Sequence, residues 1–245
     1  FGYNLWRLMN PDAQPANFRS FDSITGKAGF DAPSTQGDVI IWLHSESHDE
    51  LVEAVIAVND VMKPSASLHI DLPGFRYRDS RDLIGFVDGT ANPKADDRGT
   101  VAIIPDDQSG AGGTLMMTQK WVHKLAEFKK LNVVEQEKVI GRTKPDSVEL
   151  DDVPAASHVG RVDIKEEGKG LKIVRHSLPY GSVTGAHGLL FICYCHTLHN
   201  IKVMLESMYG VTDGKTDQLL RFTKAVTGAY FFAPSQAMLA ELAIK

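Results

Sequence analysis

The carboxylates and arginines that this sequence carries into apolar surroundings could do acid–base work, and its imidazoles and thiols could hold a metal. Gly85-Phe86-Val87-Asp88-Gly89-Thr90-Ala91-Asn92-Pro93 has the first character. The apolar run Leu83 to Val87 delivers Asp88 toward buried territory, Gly89 tolerates a positive φ, and Asn92-Pro93 favours a turn. A carboxylate aimed by a tight turn suits proton shuttling. Taken alone, Asp-Gly is also a common turn dipeptide whose Asp bonds local backbone, and the stretch by itself favours that reading. Arg175 and Ser177 lie two apart in a run that reads as extended, so they share a face with Ile173. Such an Arg is not simply solvated, and its ordinary fate is to pair with an acid.

Nine histidines are present, and most need no special role. His44 and His48 flank a helix start, His69 sits on an expected strand and His123 ends another. A lone imidazole is more often a surface or satisfied group than a ligand. His158 follows the acidic run Glu149 to Asp152 and Pro154, in a segment that can re-enter the domain. Cys193-Tyr194-Cys195-His196-Thr197-Leu198-His199 places two thiols and two imidazoles within seven residues. Cys193 and Cys195 share a strand face with Phe191, however, and His196 and His199 begin the next helix. Structural zinc sites usually draw ligand pairs from two separated segments, so packed, reduced thiols are the stronger reading.

The elements that must position these residues divide into two series. Phe1 to Leu8, Asp38 to Leu43 and Ser67 to Leu72 read as strands. A helix lies between the last two, opened by a capping box at Ser47 and Glu50 and stopped before Pro64. The second series has a strand at 114–122, a helix at 133–140, and a long polar connection at 141–170. A strand pair at 171–178 and 188–195 and a helix at 197–209, stopped by Gly210, come next. A helical run from Asp217 to Val226, a strand at 229–233 and a short helix complete it. This is β-α-β-β-α-β, the split βαβ pattern of a ferredoxin-like fold. The first series is the same pattern without its opening β-α. Either the N-terminal domain is small, or this chain has lost its first strand and helix, which would expose an aggregation-prone sheet edge.

Composition sets the outer bounds. Apolar residues at 43% beside 23% charged ones are ordinary for a globular protein. A net charge of −5 without a basic stripe argues against nucleic-acid binding. The longest apolar run, Leu189 to Cys195, is too short to span a bilayer, and the opening Phe1-Gly2-Tyr3-Asn4 does not read as a signal peptide. Two cysteines offer no disulfide framework, which fits a cytoplasmic, reducing setting.

GFVDGTANP resembles the GxxDG signature of the dye-decolorizing peroxidases, a haem peroxidase family. Four further motifs resemble that family in the right order: IGRTKPDSVELDD at 140–152, SHVGR at 157–161, KIVRHSLPYG at 172–181 and LLRFTKAVTGAYFFAPS at 219–235. The likeness is to the bacterial B-type, YfeX-like branch and runs from about Arg81 to the end. It implies an α+β protein of two ferredoxin-like domains with antiparallel sheets, here 1–80 and 81–245, and it favours loss of the first β-α unit. It implies haem b, with His158 as the proximal iron ligand. Asp217 is the expected carboxylate partner of that ring, although at a helix start it is equally well placed as a cap. By the same resemblance Asp88 and Arg175 are the distal acid–base pair, with Ser177 and Asn92 beside them. Ser177 stands where some relatives carry Asn, which leaves its role open.

Leu189 and Phe191 are candidate walls above the haem or plain core, and Arg161 and Arg142 are candidate propionate partners or surface residues. The implied activity is oxidation of dyes, phenolic compounds or porphyrinogens with hydrogen peroxide, one electron at a time through a ferryl intermediate. Tyr180, Tyr194, Tyr230, Trp42 and Trp121 either relay electrons or simply pack. The resemblance also implies a homo-oligomer. The short tail after the last helix argues against docking into an encapsulin shell. Two alternatives stay open: a haem-handling protein with little turnover, and a cofactor-free ferredoxin-like binding protein, since such scaffolds host many functions.

Overall fold

The computed structural model describes residues 1–244. Its first part runs through α1 (Tyr3–Met9), the ladder of β1 (Ile24–Thr25) with β2 (Asp31–Ala32), α2 (His48–Met62) and α3 (Ala95–Ala102). β3 (Thr114–His123), α4 (Leu125–Phe128), α5 (Val133–Ile140) and α6 (His158–Val162) follow. Next come the hairpin β4 (Lys165–Glu166) and β5 (Lys169–Gly170), then β6 (Val174–Arg175), β7 (Leu178–Tyr180) and β8 (Gly188–Cys195). α7 (Leu198–Met208), β9 (Thr223–Ala225), β10 (Ala229–Ala233) and α8 (Gln236–Ile244) close the chain.

Side-chain alternation on β3 and β8 gives one antiparallel sheet two different faces. The strand order is β10-β3-β8-β6, with β7 also on β8 and β9 also on β3. Leu115, Met117 and Trp121 stand opposite Cys195, Cys193 and Leu189, and this face packs on Leu198, Ile201, Leu205 and Met208 of α7. Met117 and Phe232 are wholly buried there, each contributing roughly 1.5–3 kcal/mol of apolar burial. The opposite face carries Met116, Ile192, Ala229 and Phe231, against which Ile40 and Trp42 lie. Cys193 and Cys195 are free thiols inside the core, and burial pushes both up from their ordinary pKa. His196 and His199 point away from them, to the Val101 carbonyl and to Glu166. Among the described residues no helix is long and apolar enough to cross a membrane.

The C-terminal series keeps its expected order with three changes: the strand expected at 171–178 is split into β6 and β7, the connection at 141–170 holds α6 and the β4–β5 hairpin, and the late helical run is broken. The run Asp217 to Val226 is not one helix: a 3₁₀ turn at Gln218–Arg221 gives way to β9, whose Thr223 and Ala225 are buried while Lys224 is exposed. That in–out alternation is a strand's, and pairing with β3 secures it.

The N-terminal strands differ more. Phe1 to Leu8 is mostly helix α1, because Trp6 sinks fully into the core against Phe1 and Phe232 while Leu8 stays outside. Only Phe1 behaves as strand, exchanging two backbone hydrogen bonds with Phe232. The segments 38–43 and 67–72 form no strand, since they find no partner ladder among the described residues. Ser47 does cap α2, accepting from the Glu50 N–H, but Glu50 turns to Ser45 instead of closing the box. Val52, Val55, Ile56 and Val61 of α2 are exposed.

Candidate active site

α6 exists to present His158. Ser157 caps it by accepting the Gly160 N–H at 3.1 Å while donating its own proton to the Pro154 carbonyl at 2.7 Å. The turn is so tight that a Cβ on Gly160 would lie 2.5 Å from the Pro154 oxygen. Gly141 ends α5 at φ +96° and passes close beneath the same loop, where a Cβ would meet Ser157 Oγ at 2.8 Å. His158 Nδ1 lies 2.7 Å from Asp217 Oδ2, and Asp217 is fully buried. An ionised carboxylate only accepts, so Nδ1 carries the proton and Nε2 presents its lone pair. Nε2 has no hydrogen-bond partner among the described residues, and the His158 side chain keeps 25% of its surface exposed. Asp217 makes the imidazole contact and the cap together, because its Oδ1 caps the 3₁₀ turn by accepting the Leu219 N–H at 2.8 Å.

A second constellation forms where the Asp88 turn meets β6. Gly85 and Gly89 both take positive φ, at +93° and +84°, and between them the chain makes a bridge from Arg81 to Val87. Asp88 is set by its own N–H donating to the Ser80 carbonyl at 2.9 Å. Asn92 stitches this turn to the sheet as a strand would. Its Oδ1 accepts the Arg175 N–H at 2.8 Å and its Nδ2 donates to the Arg175 carbonyl at 2.9 Å. Arg175 Nη1 thereby faces Asp88 Oδ1 at 3.7 Å, with both side chains partly exposed. That is too long for a direct hydrogen bond and leaves both groups a free valence.

Arg175 stands opposite Cys193, so it shares a sheet face with Phe191 and Leu189, which are half-buried and packed on the same core as Val162 of α6. Ser177 Oγ lies 3.5 Å from the Ile192 N–H, at the gap between β6 and β7.

Arg161 and Arg142 are engaged by protein partners. Arg161 is buried and grips Asp213 with both Nη atoms, at 3.0 and 2.9 Å, while Nε donates to the Ser207 carbonyl. The hydrogen bond from Arg161 lowers the Asp213 carboxyl from its ordinary value, and the contact to Ser207 ties α6 to the end of α7. Arg142 holds Glu149 and the Ser147 carbonyl. Gly141, Gly160 and Asp213 went unread as site residues. The glycines within IGR and SHVGR carried a signal, but the Arg161–Asp213 contact spans 52 positions with none. Of the candidate relay residues, Trp42 stacks on Tyr194, and Tyr180 donates its hydroxyl proton to the Trp121 carbonyl.

The geometry thus offers a carboxylate-bound imidazole whose outer nitrogen has no protein partner among the described residues, and an acid–arginine pair beside an apolar sheet face. A family model described as Dyp-type peroxidase, C-terminal, matches residues 79–238. The dye-decolorizing peroxidase of Mycobacterium tuberculosis is 39% identical over 96% of this chain and 71% of its own length. That of Rhodococcus erythropolis is 35% identical over 97% of this chain and 71% of its own. A solved dye-decolorizing protein from V. cholerae superposes with a TM-score of 0.94 at 60% identity, over 98% of this chain and 80% of that one. A DypB variant from Rhodococcus jostii RHA1, in complex with heme, does so at 0.94 and 35%, over 98% and 80%. The chain belongs to the dye-decolorizing peroxidase family. Its α+β fold is the ferredoxin-like, antiparallel architecture of those structures.

Proposed function

We propose a division of labour among the residues of this enzyme, a haem-dependent peroxidase that uses hydrogen peroxide to oxidise dyes and related small reductants. The observation that carries it is His158, its Nδ1 bound by buried Asp217 and its Nε2 left without a protein partner. Those residues fit haem b: His158 would hold the iron through Nε2, and Leu189 and Phe191 would offer an apolar wall. When bound, haem supplies the redox chemistry, accepting oxidising equivalents from peroxide and passing them on one electron at a time.

Asp217 fixes the tautomer and orientation of the His158 ring and makes it a stronger electron donor. Asp88 accepts a proton from hydrogen peroxide at its carboxylate and returns it to the departing oxygen. Arg175, with Nη1 3.7 Å from that carboxylate, donates to the same oxygen and stabilises its charge. Asn92 holds Asp88 and Arg175 in register through its two bonds to the Arg175 backbone. Ser177 closes the gap beside them. Arg161 is the nearest cation to His158 in sequence, and Arg142 lies farther off, beyond the acidic run. A propionate at Arg161 would compete with Asp213, so its first role is to hold α6 in place.

The same reading treats 1–80 and 81–245 as two units and takes phenols and porphyrinogens as further reductants. The free thiols accord with a reducing, cytoplasmic setting. The exposed apolar face of α2 accords with a homo-oligomer.

The test is an absorbance spectrum of haemin-reconstituted protein before and after one equivalent of hydrogen peroxide. The expected result is a ferric Soret band that changes on peroxide addition and recovers on adding a dye. His158→Ala should lose the band. Haem that binds normally to His158→Ala would remove that residue from its assigned place.

A further inference from the structure

A buried polar triad outside this site is used by nothing described so far. His123, the last residue of β3, lies with Nε2 3.0 Å from Asp82 Oδ2 and Nδ1 2.8 Å from Thr223 Oγ1. All three residues are buried. The other oxygen of Asp82 accepts the Ile84 N–H at 2.8 Å, and the Asp82 backbone closes the turn on both sides, to Phe86 and to Gly85. Thr223 Oγ1 also lies 3.3 Å from the Val122 carbonyl.

These contacts join two distant parts of the active site. Asp82 opens the turn that ends in Asp88, and the segment around it has no regular secondary structure to hold it. Its anchor on the other side is Arg81, which donates to the Gly85, Lys144 and Pro145 carbonyls at the protein surface. Thr223 lies two residues beyond the 3₁₀ turn that Asp217 caps. A single imidazole therefore bridges the turn bearing Asp88 and the strand that follows the carboxylate partner of His158. Buried and fully partnered, such a network fixes geometry more firmly than surface contacts do.

We propose that His123 is a positioning residue, a strut that locks the Asp82–Asp88 turn to β9 and so sets the Asp88 carboxylate opposite Arg175. The proposal rests on the assignment of Asp88 to the peroxide step, so the first readout avoids that assignment. In cofactor-free protein, amide hydrogen exchange at Ile84, Gly85 and Asp88 is compared between wild type and His123→Phe. The expected result is at least tenfold faster exchange at these amides, with those of Met117 and Cys193 in the central strands unchanged. Unchanged exchange at Ile84, Gly85 and Asp88 in a folded variant would overturn the strut.

Should His123→Phe not fold, Thr223→Val leaves the imidazole in place and removes its Thr223 contact, together with the longer contact to the Val122 carbonyl. It should speed the same amides at least threefold, and wild-type rates would again overturn the idea. In the haem-loaded variants the peroxide step should slow about tenfold, with KM for the reducing dye unchanged. Loosened amides with an unaltered peroxide rate would leave the strut standing and sink the role of Asp88.

Discussion

The peroxide chemistry proposed for this site would depend on a few groups whose freedom has been removed. Arg175 and Asp88 approach to 3.7 Å without bonding, so each keeps a hydrogen-bonding valence for a small oxygen species between them. Replacing Arg175 by Ala should slow the peroxide step by about 10²–10³-fold, the usual loss for a preorganised donor. Asp88→Asn should cost about 10²-fold and alter the pH–rate profile. Stopped-flow absorbance separates these effects from changes in dye KM, which should not move. A normal peroxide rate in either variant would remove that residue from the chemistry. Asp217→Asn should weaken haemin binding by roughly 10–100-fold, the typical loss on removing a ligand's carboxylate partner, read by titration of the Soret band.

At the scale of elements, α6 is only five residues long and cannot hold itself. It is held by Ser157 at its start and by the Arg161–Asp213 fork at its end. Asp213 titrates below its ordinary value because Arg161 hydrogen-bonds it. A depressed carboxylate contributes stability that is present above its unfolded pKa, about 3.9, and is lost as pH falls through the lowered folded value. Thermal melts should therefore show this contribution intact from pH 5 to 8 and disappearing below about pH 4. Asp213→Asn should flatten that acid limb, and an unchanged limb would show that the fork does not carry it.

Elements of this kind were unevenly legible in the sequence. Strands β3, β8 and β10 are short, largely buried apolar runs that pair with one another, so local pattern and tertiary context agree. Asp88, His158 and Arg175 stood out only through the surrounding motifs that resemble the family, since each alone read as an ordinary turn, surface or paired residue. Asp217 was visible too, although its two roles could not be seen to coexist. Phe1 to Leu8 misled because burial of Trp6 outweighs the alternation, and 38–43 because alternation alone cannot supply a partner. His123 read as one satisfied histidine among several. Its partners lie 41 and 100 positions away, beyond any local pattern.

Across the whole molecule, apolar surface is distributed unequally. The C-terminal sheet is covered by α7 on one face, whereas α2 buries none of its residues. Val52 and Ile56 lie one helical turn apart on its exposed side, a surface suited to pairing with a second copy. Sedimentation should find an assembly larger than a monomer at micromolar concentration. Val52→Lys combined with Ile56→Lys should shift it toward the monomer. A monomeric wild type would dispose of this pairing.

One carboxylate, Asp217, serves both the ring of His158 and the start of the 3₁₀ turn that leads into β9. Under the proposed role of His158, any tuning of that ring is thereby bound to the folding of a core strand. Lengthening the side chain to Glu could reach the imidazole only by abandoning the cap, and shortening it to Ser could keep the cap only by abandoning the ring. A substitution at Asp217 would therefore disturb the His158 ring and the turn into β9 together, so the surroundings of His158 are the easier place to alter that ring.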